Sequence, residues 1–207
     1  SLYASGRGSG IVVEIGHGLT QIVPIWQGVI IDEATVVSKL AGSAITDYLA
    51  TLTTQTSNHL VSPASADLLF DIDKMKRNCC YVASDFETEM TDYQCSAQKY
   101  KDWTFSDGRV HTLCNERILA PEVLFKPKLG GHESLSITQL IFKSIMLSPM
   151  DIRRDLYTNI ILSGATTLTP GLPERIEAEL KALIPQGMVC KVVAPPERAY
   201  STWIGGS

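Results

Sequence analysis

Hydrophobic and polar positions along the chain divide it into alternating strand-like and helix-like stretches. Residues 11–14 and 20–25 are two β-rich runs with Gly16-His17-Gly18 between them, which predicts a hairpin whose turn uses positive φ angles. Residues 29–31 predict a further short strand. Over 35–52 the spacing of Val36, Val37, Leu40, Ile45, Tyr48 and Leu49 is helical, and Gly42 is expected to break it into two helices. Residues 54–65, rich in Thr, Ser, Asn and Pro, predict an exposed loop or a helix lead-in. Helical spacing returns over 66–82, with Leu69, Ile72, Met75 and Cys79 on one face, and 85–97 is polar and weakly patterned. Residues 103–105 and 110–113 flank Ser106-Asp107-Gly108 and predict a second hairpin.

The last third alternates strand and helix. Residues 137–146 predict an apolar helix, and 159–162 a buried strand leading into Ser163-Gly164-Ala165-Thr166-Thr167. A helix follows, with Pro170 and Pro173 near its start and Ile176, Leu180 and Leu183 on its inner face. A strand over 189–194 ends at Pro195-Pro196, and a short segment over 200–204 precedes the terminal glycines. The ends are thus α/β and the middle mainly helical, which predicts one domain inserted in another.

Composition narrows the function classes. The chain has 207 residues, 44% of them hydrophobic, enough for a core without covalent staples. The net charge is −4 and basic residues form no run, which argues against direct nucleic-acid binding. Five cysteines, Cys79, Cys80, Cys95, Cys114 and Cys190, form no metal-binding or disulfide pattern, so a reducing compartment, cytosol or nucleus, is expected. His17, His59, His111 and His132 are scattered and read as structural or solvated. No apolar stretch approaches a membrane span, and the first residues do not read as a signal peptide.

Two glycine turns carry the candidate chemistry. In Glu14-Ile15-Gly16-His17-Gly18, Gly16 and Gly18 let backbone N–H groups approach a phosphate, and Glu14 can hold a hydrated metal ion. In Ser163-Gly164-Ala165-Thr166, a strand-to-helix turn aims N–H groups at an anion. Neither is specific alone, since a hairpin with glycines is more often only a turn.

The surrounding text is specific. Tyr3-Ala4-Ser5-Gly6-Arg7, Val23-Pro24-Ile25, Leu40-Ala41-Gly42 and Thr46-Asp47-Tyr48-Leu49 resemble actin. So do Cys80-Tyr81-Val82-Ala83, Asn115-Glu116-Arg117, the run from Asp151 to Tyr157, Leu162-Ser163-Gly164, and Pro195-Pro196-Glu197-Arg198 with the final Trp203-Ile204-Gly205-Gly206-Ser207. The order is that of the actin family from end to end. The resemblance implies an actin/Hsp70/hexokinase-like (ribonuclease H-like) α/β fold, and places the chain on the half called subdomains 3 and 4. Residues 1–41 and 126–207 would form a subdomain 3-like α/β domain, and 42–125 a subdomain 4-like inserted, mainly helical α+β domain. The family's first half, with its own phosphate loop, has no counterpart in this chain.

By resemblance, the complete protein takes ATP or ADP with Mg or Ca. The nucleotide would be met by Gly16, Gly18, Gly42, Lys76, Gly164 and Thr166, and the cation, through water, by Glu14. Glu14 and Gln21 take the catalytic positions. Tyr3, Ala4, Gly6 and Gly28 match one wall of the groove where partner helices dock. The departures cluster on this pocket. Glu14 stands for an aspartate, Ile15 and His17 for a serine and an aspartate, and Gln21 for a histidine that positions water. Ser43-Ala44 stands for an Arg-Asp pair, and Arg77 for a glutamate that binds ribose. Ala165 stands for a glycine, Leu168-Thr169 for the Met-Tyr that packs the base, and Ala199 for a lysine. A site built to bond a hydroxyl loses much when its partner goes. The segment Lys126-Pro127-Lys128-Leu129-Gly130-Gly131-His132 stands for an apolar filament loop and predicts weak polymerisation.

The expected function is a divergent cytoskeletal or complex-scaffolding subunit. Its partners would be other actin-fold subunits or actin-binding proteins, with no nucleic acid and no membrane. Relatives serve the cytoskeleton, dynein-associated complexes or chromatin-remodelling assemblies. The alternative is a fast-evolving actin that hydrolyses ATP and polymerises. A sugar-kinase or Hsp70 relative is disfavoured by the segment 195–207. One half of a cleft implies no hydrolysis by this chain alone.

Overall fold

The computed structural model describes residues 2, 6–56, 66–95, 99–185 and 187–206. Two compact units divide the chain. The first comprises Ser1–Gly42, Ser134–Leu168 and Leu172–Ser207, and the second Ser43–Glu133 and Thr169–Gly171.

The first unit is built on a six-stranded mixed sheet. Strands β1 (Gly10–Ile15) and β2 (Thr20–Trp26) form the expected hairpin in antiparallel register. The short β3 (Val29–Ile30) and β4 (Val36–Ser38) both pair with the outer edge of β2. On the other side β7 (Ile160–Ser163) runs parallel to β1, and β8 (Val192–Val193) runs parallel to β7.

Strand alternation sends Ile11, Val13 and Ile15 to one side of β1 and Val12 to the other, and all four are buried. Val12 packs with Leu2 and Ile161. Helices α5 (Ile137–Leu147), α6 (Arg153–Thr158) and α7 (Leu172–Leu183) complete the unit, with α5 against β2, α6 against β1 and α7 against β8. A capping box starts α5: the Ser136 hydroxyl accepts from the Gln139 N–H, and the Gln139 side chain accepts from the Ser136 N–H.

In the second unit, α1 (Gly42–Thr56, whose first residue lies in the first unit) buries Ile45 and Leu49, and α2 (Ala66–Cys79) buries Ile72, Met75 and Cys79. Leu69 is only half-buried. Helix α3 (Phe86–Cys95), the hairpin β5 (Lys101–Thr104) and β6 (Val110–Leu113), and α4 (Glu116–Glu122) follow. The buried Asp71 accepts from the Ser106 N–H at 2.9 Å and its hydroxyl at 2.6 Å, tying α2 to the hairpin turn. Those bonds hold its carboxyl below the usual aspartate range.

Several sequence expectations are corrected. The stretch 35–52 is not two helices. Val36, Val37 and Leu40 repeat at a helix-compatible spacing, but Val36–Ser38 pairs with β2, with Val36 buried and Val37 exposed. The hairpin turn at 16–19 uses no positive φ at Gly16 or Gly18. It is a four-residue loop closed by the Gly16 N–H on the Leu19 carbonyl at 3.0 Å, a length built around right-handed turn conformations. Residues 86–95 are helical, because Asp85 accepts from the N–H groups of Glu87 and Thr88 as a cap. The expected turn after Ser163 is a 3-10 turn (Ala165–Leu168), and α7 follows from Leu172. The strand over 189–194 shrinks to Val192–Val193, and Leu183 is 44% exposed rather than inward. Helix α1 runs to Thr56, and 57–65 lie outside the described residues.

Leu162 is fully buried in β7, which lies between β1 and β8. Leu162→Ala is expected to destabilise the protein by about 2–5 kcal/mol, read by urea unfolding. A loss below about 1 kcal/mol would mean the first unit has no tightly packed core there.

Candidate functional site

The first unit gathers both glycine turns and the start of α1 around one oxygen. The Gly16 carbonyl accepts from the Gly42 N–H at 3.0 Å and from the Thr166 hydroxyl at 2.8 Å. A Cβ on Gly42 would sit 2.4 Å from the Thr166 hydroxyl oxygen and 3.1 Å from the Gly16 carbonyl. Gly42 is therefore needed for close approach, and it opens α1 instead of breaking a helix. Gly164 has φ +91°, and a Cβ there would lie 2.4 Å from the Ile15 carbonyl oxygen. Its own N–H donates to the Arg198 carbonyl at 2.9 Å, and its carbonyl accepts from the Thr167 hydroxyl at 2.7 Å. The Arg198 guanidinium in turn donates to the Thr167 carbonyl at 3.2 Å. Gly18 differs, with open space where its Cβ would be.

The sheet register places Glu14 between two polar neighbours. Gln21 lies opposite it on β2 and Ser163 beside it on β7, and cross-strand partners share a face. Helix α8 (Ser201–Ile204) adds Thr202, whose hydroxyl donates to the Glu14 carboxylate at 3.2 Å and lies 3.4 Å from the Ser163 hydroxyl. Ser163 and Thr202 were not foreseen. Ser163 was legible as the residue that ends a buried strand, but nothing in the sequence couples Thr202 to Glu14.

Divalent cations bind hard oxygen donors, and magnesium is commonly held by one or two carboxylates together with substrate phosphates and water. Glu14 supplies one such carboxylate. Among the described residues no group of three or more His, Cys, Asp or Glu is placed to hold a metal ion. The residues present therefore fit a cation that arrives with a polyphosphate, and do not form a metal site of their own.

Lys76 lies in the second unit, buried on α2. Its ammonium donates to the Asp73 carboxylate at 2.6 Å and the Thr46 hydroxyl at 2.8 Å. Arg77 pairs with the other oxygen of the same carboxylate. Burial pushes the Asp73 carboxyl up, but the hydrogen bonds and charges of Lys76 and Arg77 outweigh it and hold the group below the usual range. Asp73 was missed, although its spacing of three to Lys76 and four to Arg77 was available.

Of the expected partner groove, Tyr3 and Ala4 lie outside the described residues. Gly6 takes φ +70° and Gly28 φ +81°, and the Gly28 N–H donates to the Gly8 carbonyl at 2.8 Å. The structure thus brings Gly28 to the segment that carries Gly6. In the segment 126–132, Pro127–Gly130 forms a 3-10 turn and Leu129 is 37% exposed. No helix among the described residues is long and apolar enough to cross a membrane.

Comparison with known proteins agrees with this architecture. The actin family model matches residues 1–66 and 71–207. The chain is 41% identical over all 207 residues to a protein named centractin from Schizosaccharomyces pombe, covering 54% of that protein. The chain thus spans about half the length of the curated relative it matches.

Gly164→Ala is expected to destabilise the protein by roughly 2–5 kcal/mol, from the left-handed backbone and the clash with Ile15. Gly18→Ala is expected to stay within about 0.5 kcal/mol. Thermal unfolding of both variants checks this, and equal effects would contradict the assigned packing.

Proposed function

The chain belongs to the actin family, and on that premise we propose that it is part of an actin-like structural subunit with a weakened nucleotide site. The observation that carries this reading is the polar row on the sheet. Gln21 stands opposite Glu14, and an amide can hydrogen-bond a water but cannot take up its proton. Glu14 is itself engaged by Thr202. The row is therefore suited to holding water or a hydrated cation beside a phosphate, and poorly suited to speeding hydrolysis. The sequence departures on the nucleoside side, Ser43-Ala44, Arg77, Leu168-Thr169 and Ala199, point the same way.

The nucleotide in the complete protein would be ATP or ADP with Mg or Ca, met by Gly16, Gly18, Gly42, Gly164 and Thr166. Partners would be other actin-fold subunits or actin-binding proteins, in the cytoplasm. The domain reading, a subdomain 3-like and a subdomain 4-like part, belongs to the same proposal. A second reading, an ATP-hydrolysing, polymerising actin, is favoured by one observation: the glycines and Thr166 still pack the two phosphate turns together.

Calorimetric titration of MgATP into the complete protein, with a phosphate-release assay alongside, separates the two. The weakened site predicts a dissociation constant well above about 1 μM and no release above background. Binding tighter than that with steady turnover would establish the second reading instead.

A further inference from the structure

We propose that the groove between α7 and the free edge of β8 docks an extended basic segment of a partner protein, added to the sheet as a further strand. Every residue of the groove belongs to the first unit, and nothing in it depends on the nucleotide reading.

A cavity of about 520 Å³ opens there, lined by Pro173, Glu174, Glu177 and Lys181 from α7 and by Val192 and Ala194 from the strand side. That volume is in the range of clefts that hold ligands. β8 ends the sheet: β7 pairs with one side of it, and among the described residues no strand pairs with the other. In a parallel pair, alternate residues direct their backbone groups to the neighbouring strand. Lys191 faces inward, its carbonyl accepting from the Ile160 N–H at 3.1 Å and its N–H donating to the Tyr157 carbonyl at 3.0 Å. Alternation therefore turns the backbone groups of Val192 and the N–H of Ala194 to the open edge. Glu177 accepts from the Val192 N–H at 3.1 Å, which blunts one of these groups. The Val192 carbonyl and the Ala194 N–H have no hydrogen-bond partner among the described residues. One residue of an added parallel strand could donate to the first and accept from the second. Pro195 and Pro196 have no N–H, so the pairing surface stops there.

Charge selects the occupant. Lys181 offsets Glu177 at 2.6 Å. The Arg198 guanidinium, also on the groove, is turned onto the carbonyls of Thr167 at 3.2 Å and Pro195 at 3.0 Å. Glu174 is exposed and forms no ion pair among the described residues. An extended segment gains affinity from main-chain hydrogen bonds and specificity from its side chains, and Glu174 favours one that carries Arg or Lys.

The test is fluorescence anisotropy of a labelled five-residue peptide of alternating valine and arginine, blocked at both ends, titrated with the complete protein. A dissociation constant below about 1 mM is expected. A matched peptide with glutamate for arginine, and an arginine peptide with N-methylated backbone amides, are each expected to bind at least about fivefold more weakly. Glu174→Lys, at an exposed position, is expected to reverse the preference between the two charged peptides. Hydrogen exchange of the Ala194 amide is expected to slow when the arginine peptide binds. Equal binding of the charged peptides, undiminished binding of the methylated one, or no binding at about 1 mM would each overturn the inference. Ala194 exchange that slows on raising the protein concentration alone would give the edge to a second copy of the chain and overturn it as well.

Discussion

The carbonyl oxygen of Gly16 is the point on which the first unit's functional end depends. It receives the Gly42 N–H that opens α1 and the Thr166 hydroxyl from the turn after β7. Three segments far apart in sequence can meet there only because Gly42 and Gly164 carry no Cβ. The sheet supplies the rest of the constraint. Parallel pairing of β1 with β7 sets Glu14 beside Ser163, and antiparallel pairing with β2 sets Gln21 on the other side. Backbone geometry thus fixes which side chains can share the site before any of their chemistry is considered.

Within that frame the two kinds of position behave differently. The glycines answer to packing, since substituting Gly42 or Gly164 would force backbone groups apart whatever ligand is bound. The polar side chains answer to chemistry. Gln21 cannot act as a base, the arm of Glu14 is engaged by Thr202, and Lys76 is held by Asp73 and Thr46. Shape and ligand contacts can vary independently when packing and chemistry rest on separate residues.

Much of the fold was legible in the sequence because its strands are dense in β-branched residues and its hairpins carry glycines. The stretch at 35–41 was not, since Val36, Val37 and Leu40 satisfy a helical spacing and only pairing with β2 decides in favour of a strand. Residues 86–95 lacked an apolar stripe, but their Asp85 cap was readable. In the site, the turn glycines were recognised while their backbone was misread: Gly16 and Gly18 take no positive φ, and Gly42 opens α1 in close approach rather than breaking a helix. Thr202 was invisible because its partner lies 188 residues away. Asp73 was legible in principle, as a carboxylate one helical turn before two cations.

Under the proposed function, the phosphate-side backbone still meets a ligand while the nucleoside side contributes little. Competition binding of MgATP against magnesium tripolyphosphate tests it directly, because the second ligand has the phosphates without base or ribose. The account predicts affinities within about threefold of each other. A preference for MgATP above about a hundredfold would show working nucleoside contacts and contradict it.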